Sequence, residues 1–78
     1  MKLNEFVKER RNHAKLNQLE LAEKAGVGLR FVRDLEQGKK TLRIDKINQV
    51  LKLFGFEVGA VPSSRNTILN EERKNNNE

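Results

Sequence analysis

The sequence predicts a mainly α chain, a bundle of four to five short helices followed by one short C-terminal strand. Three observations carry this. Apolar residues recur at helical spacing in four separate segments, most regularly from Ile44 to Phe54. Glycine closes three of those segments, at Gly26, Gly38 and Gly55. Strand-like alternation occurs once, with Phe56, Val58 and Ala60 on one face just before Pro62.

Leu3, Phe6, Val7 and Ala14 stand between charged residues and predict a first amphipathic helix from Leu3 to Lys15. Asn17 is a good N-cap for a second, short helix lined by Leu21, Ala22 and Ala25, which Gly26 ends in a left-handed conformation. After the single link Val27, Gly28 caps a third helix running to Glu36. Val27 and Val32 occupy the positions of a hydrophobic staple, and Val32 and Leu35 form the buried side. Gly38 ends it, and the basic loop Lys39-Lys40-Thr41 follows. In the fourth helix Ile44, Ile47, Val50, Leu51 and Phe54 share one side, with Asp45 in the first turn against the helix dipole and Gly55 as the stop.

The segment Phe56-Glu57-Val58-Gly59-Ala60-Val61 reads as the strand. A lone strand is not stable, so it pairs with its copy in a second protomer, lies on the helices as irregular chain, or awaits a partner; pairing across a homodimer is the favoured reading. Ser63 to Glu78 is rich in Ser, Asn and charge, with only Ile68 and Leu69 to bury, and is expected to be disordered. This gives one folded unit over residues 1–62 and a tail over 63–78.

At 78 residues the chain is one domain at most. A unit of this size buries only roughly 60% of its unfolded surface, so dimerisation helps it and a large catalytic cleft is not expected. There is no cysteine, which removes disulfides, thiolate metal sites and thiol catalysis. No apolar run approaches the roughly 20 residues of a membrane span and no signal-peptide core is present, so a cytoplasmic location is expected. The net charge of +5 lies wholly in residues 1–62, where 13 basic residues face 8 acidic ones, and a basic folded part suits a polyanion such as nucleic acid.

Two short helices across a tight turn, Asn17-Gln18-Leu19-Glu20-Leu21-Ala22-Glu23-Lys24-Ala25-Gly26-Val27-Gly28-Leu29-Arg30-Phe31-Val32-Arg33-Asp34-Leu35-Glu36-Gln37-Gly38-Lys39, carry the functional signal. Gln18 before Leu21-Ala22, the Ala25-Gly26-Val27 turn, apolar Val32 and Leu35, and Glu36 with Gly38 at the end resemble the phage-repressor-like helix-turn-helix family, the Xre or Cro/C1 type. The resemblance covers roughly residues 3–55. It implies a lambda-repressor-like fold, and an architectural ion pair between Arg11 and Glu36. The sequence departs from the family at Gly28, more often Ser or Thr, at Lys15, often glycine, and at Leu19 and Phe31, usually polar. For Leu19 and Phe31, burial as extra core is expected over exposed apolar contact.

A DNA major groove roughly 12 Å wide admits one helix, held by phosphate contacts on either side. With Val32 and Leu35 turned inward, Leu29, Arg30, Arg33 and Asp34 are the candidate base readers. An arginine can fork onto guanine, Leu29 can meet a thymine methyl, and Asp34 can accept from cytosine or orient a neighbouring arginine. Candidate phosphate anchors are Asn17 and Gln18, beside free N–H groups of the second helix, and Lys39, Lys40 and Arg43. The alternative for each cation is an ordinary solvated surface charge.

Enzyme chemistry is not expected, and no cofactor or metal is expected. His13 is the only histidine and has no ligand at metal spacing, Gly26-Val27-Gly28 lacks the lysine of a phosphate loop, and Ser63 and Ser64 fall in the tail. Within the family, Gly28 to Val32, the fourth helix and Gly55-Phe56-Glu57-Val58 resemble the HipB-like antitoxins. That likeness implies an autorepressing homodimer on operator DNA that also holds a HipA-like serine/threonine kinase toxin, with Phe56 to Val61 as the dimer strand. Its rivals are a free-standing repressor of the same fold, and a protein-binding adaptor that has lost DNA binding.

Overall fold

The computed structural model describes residues 2–60. Four helices occur among them: α1 (Leu3–His13), α2 (Gln18–Ala25), α3 (Leu29–Glu36) and α4 (Ile44–Leu53). Val61, Pro62 and the tail from Ser63 lie outside the described residues, as does Met1.

Local chemistry sets the helix starts. Glu5 accepts the backbone N–H of Lys2 at 3.2 Å. Asn17 and Glu20 form a reciprocal box at the start of α2: Asn17 Oδ1 accepts the Glu20 N–H at 2.7 Å, and Glu20 Oε1 accepts the Asn17 N–H at 2.8 Å. Gly28 caps α3 with extended backbone and no side-chain bond.

All four helices end in the same way. The residue two beyond the cap-adjacent turn donates back across it: Leu16 to Arg11, Val27 to Ala22, Lys39 to Asp34 and Phe56 to Leu51, at 3.0 to 3.1 Å. This Schellman closure needs one left-handed residue each time. Gly26, Gly38 and Gly55 supply it with φ between 75° and 84°, and Lys15 supplies it with φ 60°. The first helix therefore stops at His13 rather than Lys15, because Lys15 has left the helical region to form the closure. A left-handed conformation costs an ordinary L-residue about 1–2 kcal/mol. Lys15→Gly is expected to stabilise the fold by about 0.5–1 kcal/mol after the extra freedom glycine gives the unfolded chain, raising Tm by a few degrees in a thermal melt.

The core is Val7 from α1, Leu21 and Ala22 from α2, Val32 and Leu35 from α3, and Ile47, Val50 and Leu51 from α4. Phe6, Leu16, Ala25, Val27, Leu29, Phe31, Leu42 and Phe54 pack around it. Phe31 thus joins the core in part, as expected. Leu19 does not, being 49% exposed, and Ile44 is 60% exposed although it shares the helical spacing of α4. Ile44 is the first residue of α4.

α2 packs on α3 and on α4, and α1 packs on α3. The α2–α3 turn is held from α4: Gln49 Nε2 donates to the carbonyls of Ala25 and Gly26, both at 3.3 Å. A side chain added at Gly26 would meet that amide at 3.6 Å in a backbone conformation L-residues avoid.

The expected strand does not form within this single chain: Phe56 to Ala60 carry no helix and no strand pairing among the described residues. The segment is instead tied to the bundle. The Phe56 ring meets Phe6 edge to face with centroids 4.9 Å apart, and Asn48 Oδ1 accepts the Val58 N–H at 2.7 Å.

Candidate nucleic-acid interface

The candidate interface is built on α3. Its inward side is Val32, Leu35 and Glu36, with Leu29 half-buried against the core. Leu29, expected on the outer face, is therefore only partly presented there. The outer face carries Arg30, Arg33, Asp34 and Gln37, which together line a shallow polar depression. Arg30 projects fully, with its side chain 86% exposed. Asp34 is set back at 22% and lies between two cations, 3.6 Å from Arg30 Nε and 3.7 Å from Lys39 Nζ. The arginine nearest Asp34 is thus the one a turn earlier, and the carboxylate also comes near the first residue beyond Gly38. Gln37 was not among the sequence candidates. Its position as the C-cap of α3, one turn after Arg33 on the outer face, is the signal that marks it.

A buried polar cluster fixes the far side of α3. Glu36, its side chain 3% exposed, accepts from Arg11 Nε at 2.6 Å and Nη2 at 3.0 Å, and from Gln18 Nε2 at 3.1 Å. Arg11 Nη1 donates onward to the Leu16 carbonyl at 2.9 Å, and Asn4 Nδ2 reaches the Glu36 carbonyl at 3.5 Å. One carboxylate therefore joins α1, the start of α2 and the end of α3, a bidentate geometry that sets the angle of α3 to the bundle. The Arg11–Glu36 pair that the family likeness implied is present.

The candidate flanking anchors are differently engaged. Asn17 uses its Oδ1 in the α2 cap and Gln18 uses its amide on Glu36, so each keeps only part of its polar capacity for a ligand. The cap also occupies the Glu20 N–H, which leaves those of Gln18 and Leu19 as the uncapped ones of the first turn. Lys39 is half-exposed and Lys40 exposed. Arg43, 69% exposed, grips Asp45 with Nε at 3.1 Å and Nη2 at 2.7 Å. Those hydrogen bonds, with the guanidinium charge behind them, hold the Asp45 carboxyl below its ordinary value. The sign follows: the pair is complete at neutral pH and is lost only as pH falls through that lowered range.

Arg30 and Arg33 are both exposed, Arg30 beside the Asp34 carboxylate, and the bases, phosphates or carboxylates of a partner are what such guanidiniums bind. Among the described residues no helix is long and apolar enough to cross a membrane, and no cluster of His, Cys, Asp or Glu could hold a metal ion.

Comparison with known proteins agrees with this geometry. The chain is 52% identical over 48 residues to an uncharacterized HTH-type transcriptional regulator, y4mF, of Sinorhizobium fredii strain NBRC 101917 / NGR234. The match takes in 62% of this chain and 63% of the relative, so the chain spans just under two thirds of that protein's length. A helix-turn-helix family model matches residues 7–60, which include α2, the Gly26 turn, α3 and α4 whole. The chain belongs to the helix-turn-helix family of the Xre, or Cro/C1, type.

Proposed function

We propose that the protein is a sequence-specific DNA-binding regulator of transcription that inserts α3 into the major groove. The outer face of α3 carries this reading: two unburied arginines project from a helix whose opposite side is locked to the bundle by Glu36. Leu29, Arg30, Arg33 and Asp34 read bases, with Gln37 beside them. Asn17, Gln18, Lys39, Lys40 and Arg43 anchor phosphates. The relative's description as a transcriptional regulator supports the same assignment.

Enrichment of bound duplexes from a random pool, followed by binding of the enriched duplex across a salt series, tests it. A single consensus is expected. With five to eight phosphates neutralised, log affinity falls against log salt with a slope of about −4 to −7. Enrichment of no sequence, or binding indifferent to salt, overturns the reading. In the same assay Asp45→Asn is expected to free Arg43 for phosphate, raising affinity for any duplex about two- to fivefold and steepening the slope by about one.

The finer reading is a homodimer joined through Phe56, Glu57, Val58, Gly59, Ala60 and Val61, acting as the HipB-like antitoxin of a HipA-like kinase. Its support is the residue likeness together with an apolar hollow formed by Leu3, Phe6, Leu51, Phe56 and Val58. The N–H groups of Phe56 and Val58 are already bonded within the chain, so Glu57 and Gly59 are the residues with edges to offer a second copy. A twofold dimer of this kind sets its two α3 helices about 34–36 Å apart, one turn of DNA. Sedimentation gives the oligomeric state, and co-purification from the native host shows whether a kinase-sized protein accompanies the chain; recovery of the dimer alone favours the free-standing repressor.

A further inference from the structure

We propose that Asp34 is a specificity-determining positioning residue, whose carboxylate aims Arg30 at a guanine edge and penalises DNA that offers none. The inference rests on the DNA reading above and names how one base position is discriminated.

Three features of the structure carry it. First, the carboxylate meets Arg30 on the Nε side, at 3.6 Å, and the guanidinium projects beyond it, 86% exposed against 22% for Asp34. A guanidinium whose ion-pair partner lies on its Nε side leaves its terminal N–H pair facing outward, the fork that matches O6 and N7 of guanine. Second, the other carboxylate oxygen lies 3.7 Å from Lys39 Nζ, while the backbone carbonyl of Asp34 accepts the Lys39 N–H at 3.0 Å. One residue thus couples a base-directed cation to a phosphate-directed one, with the helix end between them. Third, Asp34 lines the same depression as Arg30, Arg33 and Gln37, so it faces whatever α3 faces.

A carboxylate on that face repels phosphate, which lowers affinity for DNA in general. Guanine at the right position offsets the cost, because Arg30 can then keep Asp34 on one side and satisfy its fork on the other. At any other base Arg30 either stays with Asp34 and leaves the fork unpaired in a desolvated groove, or swings to a phosphate and strands the carboxylate beside a polyanion. Discrimination comes from both losses. Asp45 lacks this property, since its partner Arg43 follows α3 rather than projecting from it.

The test compares the full chain with its Asp34→Asn and Asp34→Glu variants, and with Asp45→Asn, by enrichment from a random duplex pool and by competition between the enriched duplex and single-base changes of it. Thermal melts establish that each variant is folded. The wild-type chain is expected to demand guanine at the position that Arg30 reads. Asp34→Asn is expected to bind arbitrary duplex several-fold tighter while its preference for that guanine falls about tenfold, other positions being unchanged. Asp34→Glu keeps the preference, since a glutamate four residues after an arginine still reaches it. Asp45→Asn tightens binding with no change of preference. If Asp34→Asn discriminates every position as the wild type does, or if both Asp34 variants lose all duplexes equally, the proposal is overturned while the DNA reading stands. If the wild-type chain enriches nothing, the DNA reading fails and takes this inference with it.

Discussion

Glu36→Ala is expected to lower the melting temperature by about 15–30 °C, the largest effect of any single side-chain truncation outside the apolar core. Removing one member of a buried ion pair costs about 3–5 kcal/mol, because the survivor stays desolvated without its partner. Here the survivor is Arg11, 11% exposed, and Gln18 loses its acceptor as well. A domain of this size has only about 0.05–0.15 kcal/mol per residue in reserve, so the variant sits near unfolding at 37 °C. The companion variant is the double replacement Arg11→Met with Glu36→Leu. It removes both charges together and is expected to recover most of the loss, since apolar groups of similar volume often substitute for a buried pair without penalty. Circular-dichroism melts at one fixed protein concentration, which holds any association constant, measure both. A Glu36→Ala melt within a few degrees of wild type means that the pair is solvated and contributes little.

The second large effect is on DNA. Arg30→Ala with Arg33→Ala is expected to reduce affinity for the enriched duplex by a hundredfold or more while leaving Tm within about 2 °C. Each forked contact to guanine is worth about 1–3 kcal/mol, and neither side chain supports the core, so folding and binding separate cleanly. The single variants divide the effect by position: each relaxes the preference at its own base and leaves the other intact. Loss of binding at every sequence with unchanged discrimination would instead make both arginines phosphate anchors. A folded parent chain that binds no DNA, yet holds a protein partner equally well with and without the two arginines, would return the chain to the adaptor class.

Much of this was legible in the sequence, because the signals are local. Asn17 with Glu20, Gly26, Gly38 and Gly55 mark helix ends by chemistry acting within one turn, and the boundaries of α2, α3 and α4 fall within a residue or so of where those residues place them. Long-range partners carry no such mark. Gln49 holding the carbonyls of Ala25 and Gly26, and Asn48 holding Val58, depend on how α4 lies against chain it meets only after folding. Periodicity also says which residues share a side without saying whether anything covers it, which is why Leu19 and Ile44 stand exposed while Phe31 packs inward. Lys15 is the remaining case: the family likeness singled it out as a departure from glycine, but only the backbone reveals that it adopts the glycine-like conformation regardless.

The four identical helix closures have a further consequence for how the chain tolerates change in length. Each left-handed residue is a fixed full stop, so an inserted residue cannot be absorbed by letting a helix run on. An extra residue between Gly28 and Gly38 would advance everything after it by about 100° around the α3 axis, carrying Asp34 and Gln37 off the outer face or pulling Leu35 and Glu36 out of the interior. An extra residue between Lys39 and Leu42 would disturb no helical phase, since that stretch belongs to no helix, provided that Leu42 keeps its place against the core. The molecule is therefore phase-locked across α3 and more elastic immediately after it. Relatives that differ in length should place the difference in the loop, where the distance between the proposed base contacts and the next proposed phosphate anchor can be retuned without rotating either.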